Sequence, residues 1–98
     1  MIYARIEAFP NSEGPPDERG LGALVNCWIK RDSIDEAISV ARRIIAEHGW
    51  HSEKVEVAHT CSRDQFPESG QAYYDQASLD GEVVVFHTYK NARFEKPA

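Results

Sequence analysis

Residues 33–49 read SIDEAISVARRIIAEHG, and the rest of the fold is organised around this stretch. Ser33-Ile34-Asp35-Glu36 matches a capping box, in which a Ser hydroxyl accepts from the amide three residues on and a Glu carboxylate reaches back. The acids Asp35 and Glu36 suit the positive end of a helix dipole. Ile34, Ala37, Ile38, Ala41, Ile44 and Ile45 then recur at steps of three and four, while Asp35, Ser39, Arg42, Arg43 and Glu47 take the opposite side. Gly49 comes at the point where a helix end favours a left-handed residue. The spacing predicts an amphipathic helix of about four turns. Its apolar stripe requires a surface to lie on.

The flanking stretches alternate with period two and supply that surface. Ile2, Ala4, Ile6 and Ala8 share one side of a first strand, with Tyr3, Arg5, Glu7 and Phe9 on the other. Leu21–Lys30 forms a second, with Leu21, Ala23, Val25, Cys27 and Ile29 on one face and Leu24 and Trp28 opposite. Between them the loop at 10–20 holds adjacent prolines, Pro15 and Pro16, which exclude helix and paired strand. It reads as a connector across an antiparallel hairpin, with a functional flap as the alternative. After the helix, Glu53–Cys61 alternates with Val55, Val57, His59 and Cys61 on one side, a half-polar strand near an edge. Ser62–Gln65 starts a short turn. Gln71–Leu79 reads as a second, shorter helix ended by Gly81. Glu82–Tyr89 is an almost unbroken β-branched and aromatic run, which predicts burial on both faces and a central place in the sheet. Residues 1–90 therefore form one domain, and 91–98, without pattern, form a flexible tail.

The chain order is β-β-α-β-α-β. Two strand–helix–strand units predict an α+β two-layer sandwich with a four-stranded mixed sheet, since such crossovers join parallel strands. The layout resembles small ferredoxin-like α+β domains as a class, although its order departs from their β-α-β-β-α-β. If both helices cover one face, the other needs a lid, and a second copy is the simplest one. Trp28, Phe86 and Tyr3 are the candidate interface residues on this reading. One helix on each face is the competing arrangement and needs no partner.

Composition narrows the function. The chain has 98 residues, 42% hydrophobic and 28% charged, with a formal net charge of -5. That balance argues against a nucleic-acid partner, which calls for a basic face. No run approaches the roughly 18 apolar residues of a membrane span, and charges at Arg5 and Glu7 interrupt any leader-like segment. A cytoplasmic location and two free thiols, Cys27 and Cys61, are therefore expected. There is no phosphate-binding glycine loop, no nucleophile elbow and no Cys-x-x-Cys, and no cofactor is implied.

One constellation carries chemistry. His59 and Cys61 stand two apart on the third strand, and His87 and Cys27 fall late in theirs. If strands two to four run parallel, all four side chains converge at the carboxyl ends of the sheet, where open α/β sheets place their sites. Half-buried structural histidines are the plainer reading, and no metal is expected. His48 and His51 flank Gly49-Trp50 and read as helix-end residues. The leading functional expectation is a non-catalytic interaction or regulatory domain acting as a homodimer. The alternative is a small enzyme or ligand- or metal-binding protein built on His59, Cys61, His87 and Cys27.

Overall fold

The structure is a computed structural model, and it describes residues 1–11 and 21–90. The 10–20 loop from residue 12 on, and the 91–98 tail, lie outside the described residues. The elements are β1 (Ile2–Pro10), β2 (Leu21–Ile29), α1 (Ile34–Glu47), β3 (Trp50–Thr60), a 3-10 turn (Arg63–Gln65), α2 (Glu68–Asp80) and β4 (Glu82–Lys90). They build an α+β protein around one four-stranded sheet in the order β3-β1-β2-β4. No helix among the described residues is long and apolar enough to cross a membrane.

α1 forms where its sequence places it. The Ser33 hydroxyl accepts from the Glu36 amide at 3.3 Å, an N-cap worth about 1 kcal/mol. Its apolar stripe buries Ala37, Ala41 and Ile45 against Ile2, Ala4, Ile6 and Ala8 of β1 and Ala23, Val25, Cys27 and Ile29 of β2. Trp50, Val55 and Ala58 of β3, and Val84 and Phe86 of β4, pack around this cluster. Gly49 ends the helix at φ +81°, a backbone conformation that costs little without a Cβ.

Every neighbouring pair of strands is antiparallel, so the sheet is not mixed. β2 and β3 do run the same way, as their crossover demands, but β1 lies between them. The second unit, β3-α2-β4, joins the two edges of the sheet, and its strands run in opposite directions. β4 is therefore an edge strand rather than a central one. Its apolar run encodes cover on both faces: α2 lies over one, and on the other Val84 and Phe86 pack against the core and Trp50, without a strand on its outer side.

The two helices also lie on opposite faces. Successive strand residues point to opposite sides. Cys27 belongs to the α1 face, whereas Trp28 meets Tyr73 of α2 with ring centroids 5.1 Å apart. The arrangement is helix, sheet, helix, not a two-layer sandwich. Trp28 is thus covered by the chain's own α2 and is 5% exposed. Tyr3 shares its face, while Phe86 lies on the α1 side beside Trp50, at 5.7 Å. The three residues grouped as one interface belong to two different faces.

Two further features escaped the alternation rule. β3 begins at Trp50 rather than Glu53, and its register against β1 shifts between Arg5 and Ile6 and again between Glu7 and Ala8. A bulge inserts an unpaired residue and reverses the facing of the residues beyond it. Val57 pairs with Arg5 and Val55 with Ile6, so the two valines face opposite ways. α2 begins at Glu68, just after Pro67, and ends at Gly81 with φ +96°. The Lys30 amide donates to the Gly81 carbonyl at 2.8 Å, which ties the end of α2 to the end of β2.

Candidate binding cavity

The second face of the sheet is built from rings. Tyr3 and Trp28 are cross-strand partners on β1 and β2, packed edge to face with centroids 5.3 Å apart. Phe66, just after the 3-10 turn, completes the group at 5.3 Å from Tyr3 and 5.7 Å from Trp28. Edge-to-face geometry sets the positive rim of one ring against the negative face of the next.

The local sequence explains why Phe66 reaches this position. The Ser62 amide donates to the Gln65 side-chain carbonyl at 2.9 Å, which closes the turn. Arg63 grips Asp75 through Nε and a terminal nitrogen at 2.9 and 3.1 Å, joining the turn to α2. This fork holds the Asp75 carboxyl below its ordinary range, chiefly through the hydrogen bond. Gln71 Nε2 donates to the Phe66 carbonyl at 3.0 Å. Gly70 is buried, and a Cβ there would stand 2.8 Å from Phe66 Cβ. The absence of a side chain at residue 70 lets the ring close onto the first turn of α2.

Between this turn, α2 and the sheet lies a cavity of about 390 Å³. Tyr3, Trp28, Phe66, Ser69, Tyr73 and His87 line it, together with Pro67 and Gly70. The Tyr3 hydroxyl donates to Asn26 Oδ1 at 2.5 Å, and burial above all raises its pKa. The Trp28 indole N–H has no hydrogen-bond partner among the described residues and is out of reach of solvent. Such an orphan donor is uncommon in a folded protein, where buried polar groups are generally paired. None of the lining residues is acidic.

Beyond the cavity the second face is polar. The Arg5 guanidinium stands 3.3 Å from the Glu56 carboxylate. The Tyr89 ring lies across Gly22, where a Cβ would come within 2.7 Å of it, and its hydroxyl donates to Glu7 at 3.3 Å. Gly22 is what lets this ring cross β2 to reach β1.

The four residues singled out for chemistry do not come together. His59 and His87 share the second face, but they occupy opposite edge strands with β1 and β2 between them. His59 stacks near Tyr3 at 5.7 Å, and its Nδ1 lies 2.9 Å from the Thr60 carbonyl. Cys27 is sealed on the α1 face, where burial pushes its thiol up to about 12. Cys61 is buried just past β3, its amide donating to the Met1 carbonyl at 2.9 Å. No group of three or more His, Cys, Asp or Glu suited to a metal occurs among the described residues. Only His87 reaches the cavity. Phe66, Ser69 and Tyr73 belong to it and were not singled out. The one signal for them in the sequence is the Phe66-Pro67 step before Gly70, a ring set against a glycine four residues on. His48 caps α1 as expected, with Nδ1 2.8 Å from the Ile44 carbonyl, and its ring lies 5.5 Å from Phe86, which also packs on Trp50 at 5.7 Å.

Comparison with known proteins gives no match: no family model fits the chain, and no curated protein or solved structure is similar to it.

Proposed function

We propose that this chain is a non-catalytic interaction or regulatory domain that works as a homodimer, and that two copies join through β4. The observation that carries the reading is the contrast between the two edges of the sheet. Open strand edges invite pairing with another chain, and proteins blunt them with bulges and charge. β3 is blunted in this way: its register shifts twice, and Glu53, Lys54 and Glu56 are exposed along it. β4 pairs with β2 at nine successive positions without a shift. From Val83 to Tyr89 it has no Asp, Glu, Lys or Arg, and Val83, Val84, Val85 and Phe86 are all half-buried. No described strand pairs with its outer side.

A second β4 fits this edge. Antiparallel self-pairing centred on Phe86 sets Val85 opposite His87 and Val83 opposite Tyr89, with no fixed like charges face to face. The main-chain bonds supply affinity, and the half-buried valines supply apolar contact. The result is one continuous eight-stranded sheet with a two-fold axis, the commonest symmetry of soluble oligomers.

Native mass spectrometry and light scattering test the subunit count, and a proline pair tests the edge. Neighbouring residues of a strand send their N–H groups to opposite sides, so one of His87 and Thr88 faces β2 and the other faces outward. Both side chains are exposed. His87→Pro and Thr88→Pro are therefore expected to differ: the inward one weakens the fold, and the outward one gives a folded monomer. A wild-type protein that stays monomeric at every concentration sinks the proposal. So does a folded proline variant of each kind that still dimerises.

A further inference from the structure

We infer that the cavity beside Trp28 is a binding site for a small aromatic carboxylate. Three independent observations meet there. The first is shape: about 390 Å³ walled by Tyr3, Trp28, Phe66 and Tyr73, within the usual range for small-molecule pockets and suited to a flat apolar body. The second is the orphan donor: Trp28 is 5% exposed and lines the cavity, yet its indole N–H has no acceptor among the described residues. A buried N–H left unpaired costs free energy that a ligand oxygen can recover.

The third is the charge environment. Pro67 is the N-cap of α2 and supplies no side-chain acceptor, and the first intrahelical bond of the helix runs from Gln71 N to the Pro67 carbonyl. The amides of Glu68, Ser69 and Gly70 therefore precede the helical ladder, at the positive end of a 13-residue helix. Ser69 and Gly70 line the cavity, as does His87, while the Glu68 side chain does not. In a chain of net charge -5, a concavity with donors and no acid among its lining residues selects for an anion. The apolar walls select for a ring. The indole N–H is closed to solvent in this conformation, so binding through it requires Tyr73, 37% exposed and packed on the Trp28 ring at 5.1 Å, to move aside.

This site lies between α2 and the sheet and stands whether or not β4 pairs with a second copy. Calorimetric titration of the full chain with benzoate, and separately with benzyl alcohol, tests it. Benzoate is expected to bind saturably at one site per chain. Benzyl alcohol has the same ring without the carboxylate and is expected to bind at least roughly tenfold more weakly. Trp28→Phe keeps a ring and removes the N–H, and is expected to weaken benzoate by roughly tenfold or more, as befits a hydrogen bond to a charged group. Absence of saturable benzoate heat overturns the inference. Equal affinity for the two probes also overturns it, and needs no variant. A folded Trp28→Phe protein that binds benzoate like the wild type does so as well.

Discussion

The two faces of the sheet are closed by different means. The α1 face is aliphatic and small: Ala4, Ala8, Ala23, Ala37 and Ala41 are all fully buried. Small side chains on both partners let helix and sheet approach closely, and Ile2, Ile6, Ile29, Ile45 and Val25 fill the space between them. The second face uses few, large rings, and α2 buries only Gly70 and Ala77. One face is sealed by a helix with an apolar stripe. The other is roofed by a helix that leans on two aromatic contacts, Tyr73 on Trp28 and Tyr74 on Phe66, and leaves a cavity at its first turn. Stability is therefore concentrated on the first face, and adaptability on the second.

The largest effect is expected from Ile6→Ala. Ile6 is fully buried on the α1 face, and such a truncation costs about 2–5 kcal/mol through lost burial and the cavity left behind. For a domain of this size that is a large share of the total. Chemical denaturation is expected to show the whole molecule weakened in one transition. Two separate transitions would mean that the α1 face does not hold the sheet together.

Gly70→Ala probes the other face. The added methyl would stand 2.8 Å from Phe66 Cβ, so the ring or the helix must shift, at a cost of about 1–3 kcal/mol. The damage is expected to stay local. Hydrogen exchange should speed up in α2 and the turn before it, while amides of β1, β2 and α1 keep their protection. Equal loss of protection in α1 would erase the distinction between the faces.

The same distinction separates what the sequence revealed from what it hid. α1 was legible because its cap, stripe and terminal glycine all agree, and β1 and β2 because each alternates cleanly. The hairpin between them was legible from their adjacency. The position of β4 was not: Val83–Phe86 records apolar cover on two faces, and α2 on one side with the core on the other provides that at an edge. The bulges of β3 were invisible, because Glu53 and Glu56 look like ordinary members of an alternating strand. The second face was read only as the competing arrangement, one helix on each side, for a related reason. α2 has no stripe to assign it to a face, so its placement rests on long-range meetings such as Trp28 with Tyr73 and Lys30 with the Ser78 carbonyl. Of the four side chains chosen for chemistry, only His87 lies at the cavity, since the proposed convergence required parallel neighbours.

The subtlest test uses the thiols as reporters of the two environments. Cys27 is fully buried on the α1 face, and burial lifts its thiol from the ordinary 9.0 to about 12. Between these values the folded chain keeps a proton that the unfolded chain has lost. The folded state then binds more protons than the unfolded one, so stability falls as pH rises. It is fully present below about 9 and declines toward 12, by about 1.4 kcal/mol per pH unit for this one group. Cys27→Ala removes the group, and its stability is expected to fall less steeply over that window even though the variant starts lower. Cys61 is 7% exposed, and burial raises its thiol too, against the opposing pull of the N-terminal charge. A thiol reagent at pH 8 is accordingly expected to modify Cys61 well before Cys27. An unchanged pH slope in Cys27→Ala, together with equal rates at the two thiols, would mean that the α1 face admits water as readily as the rest of the molecule.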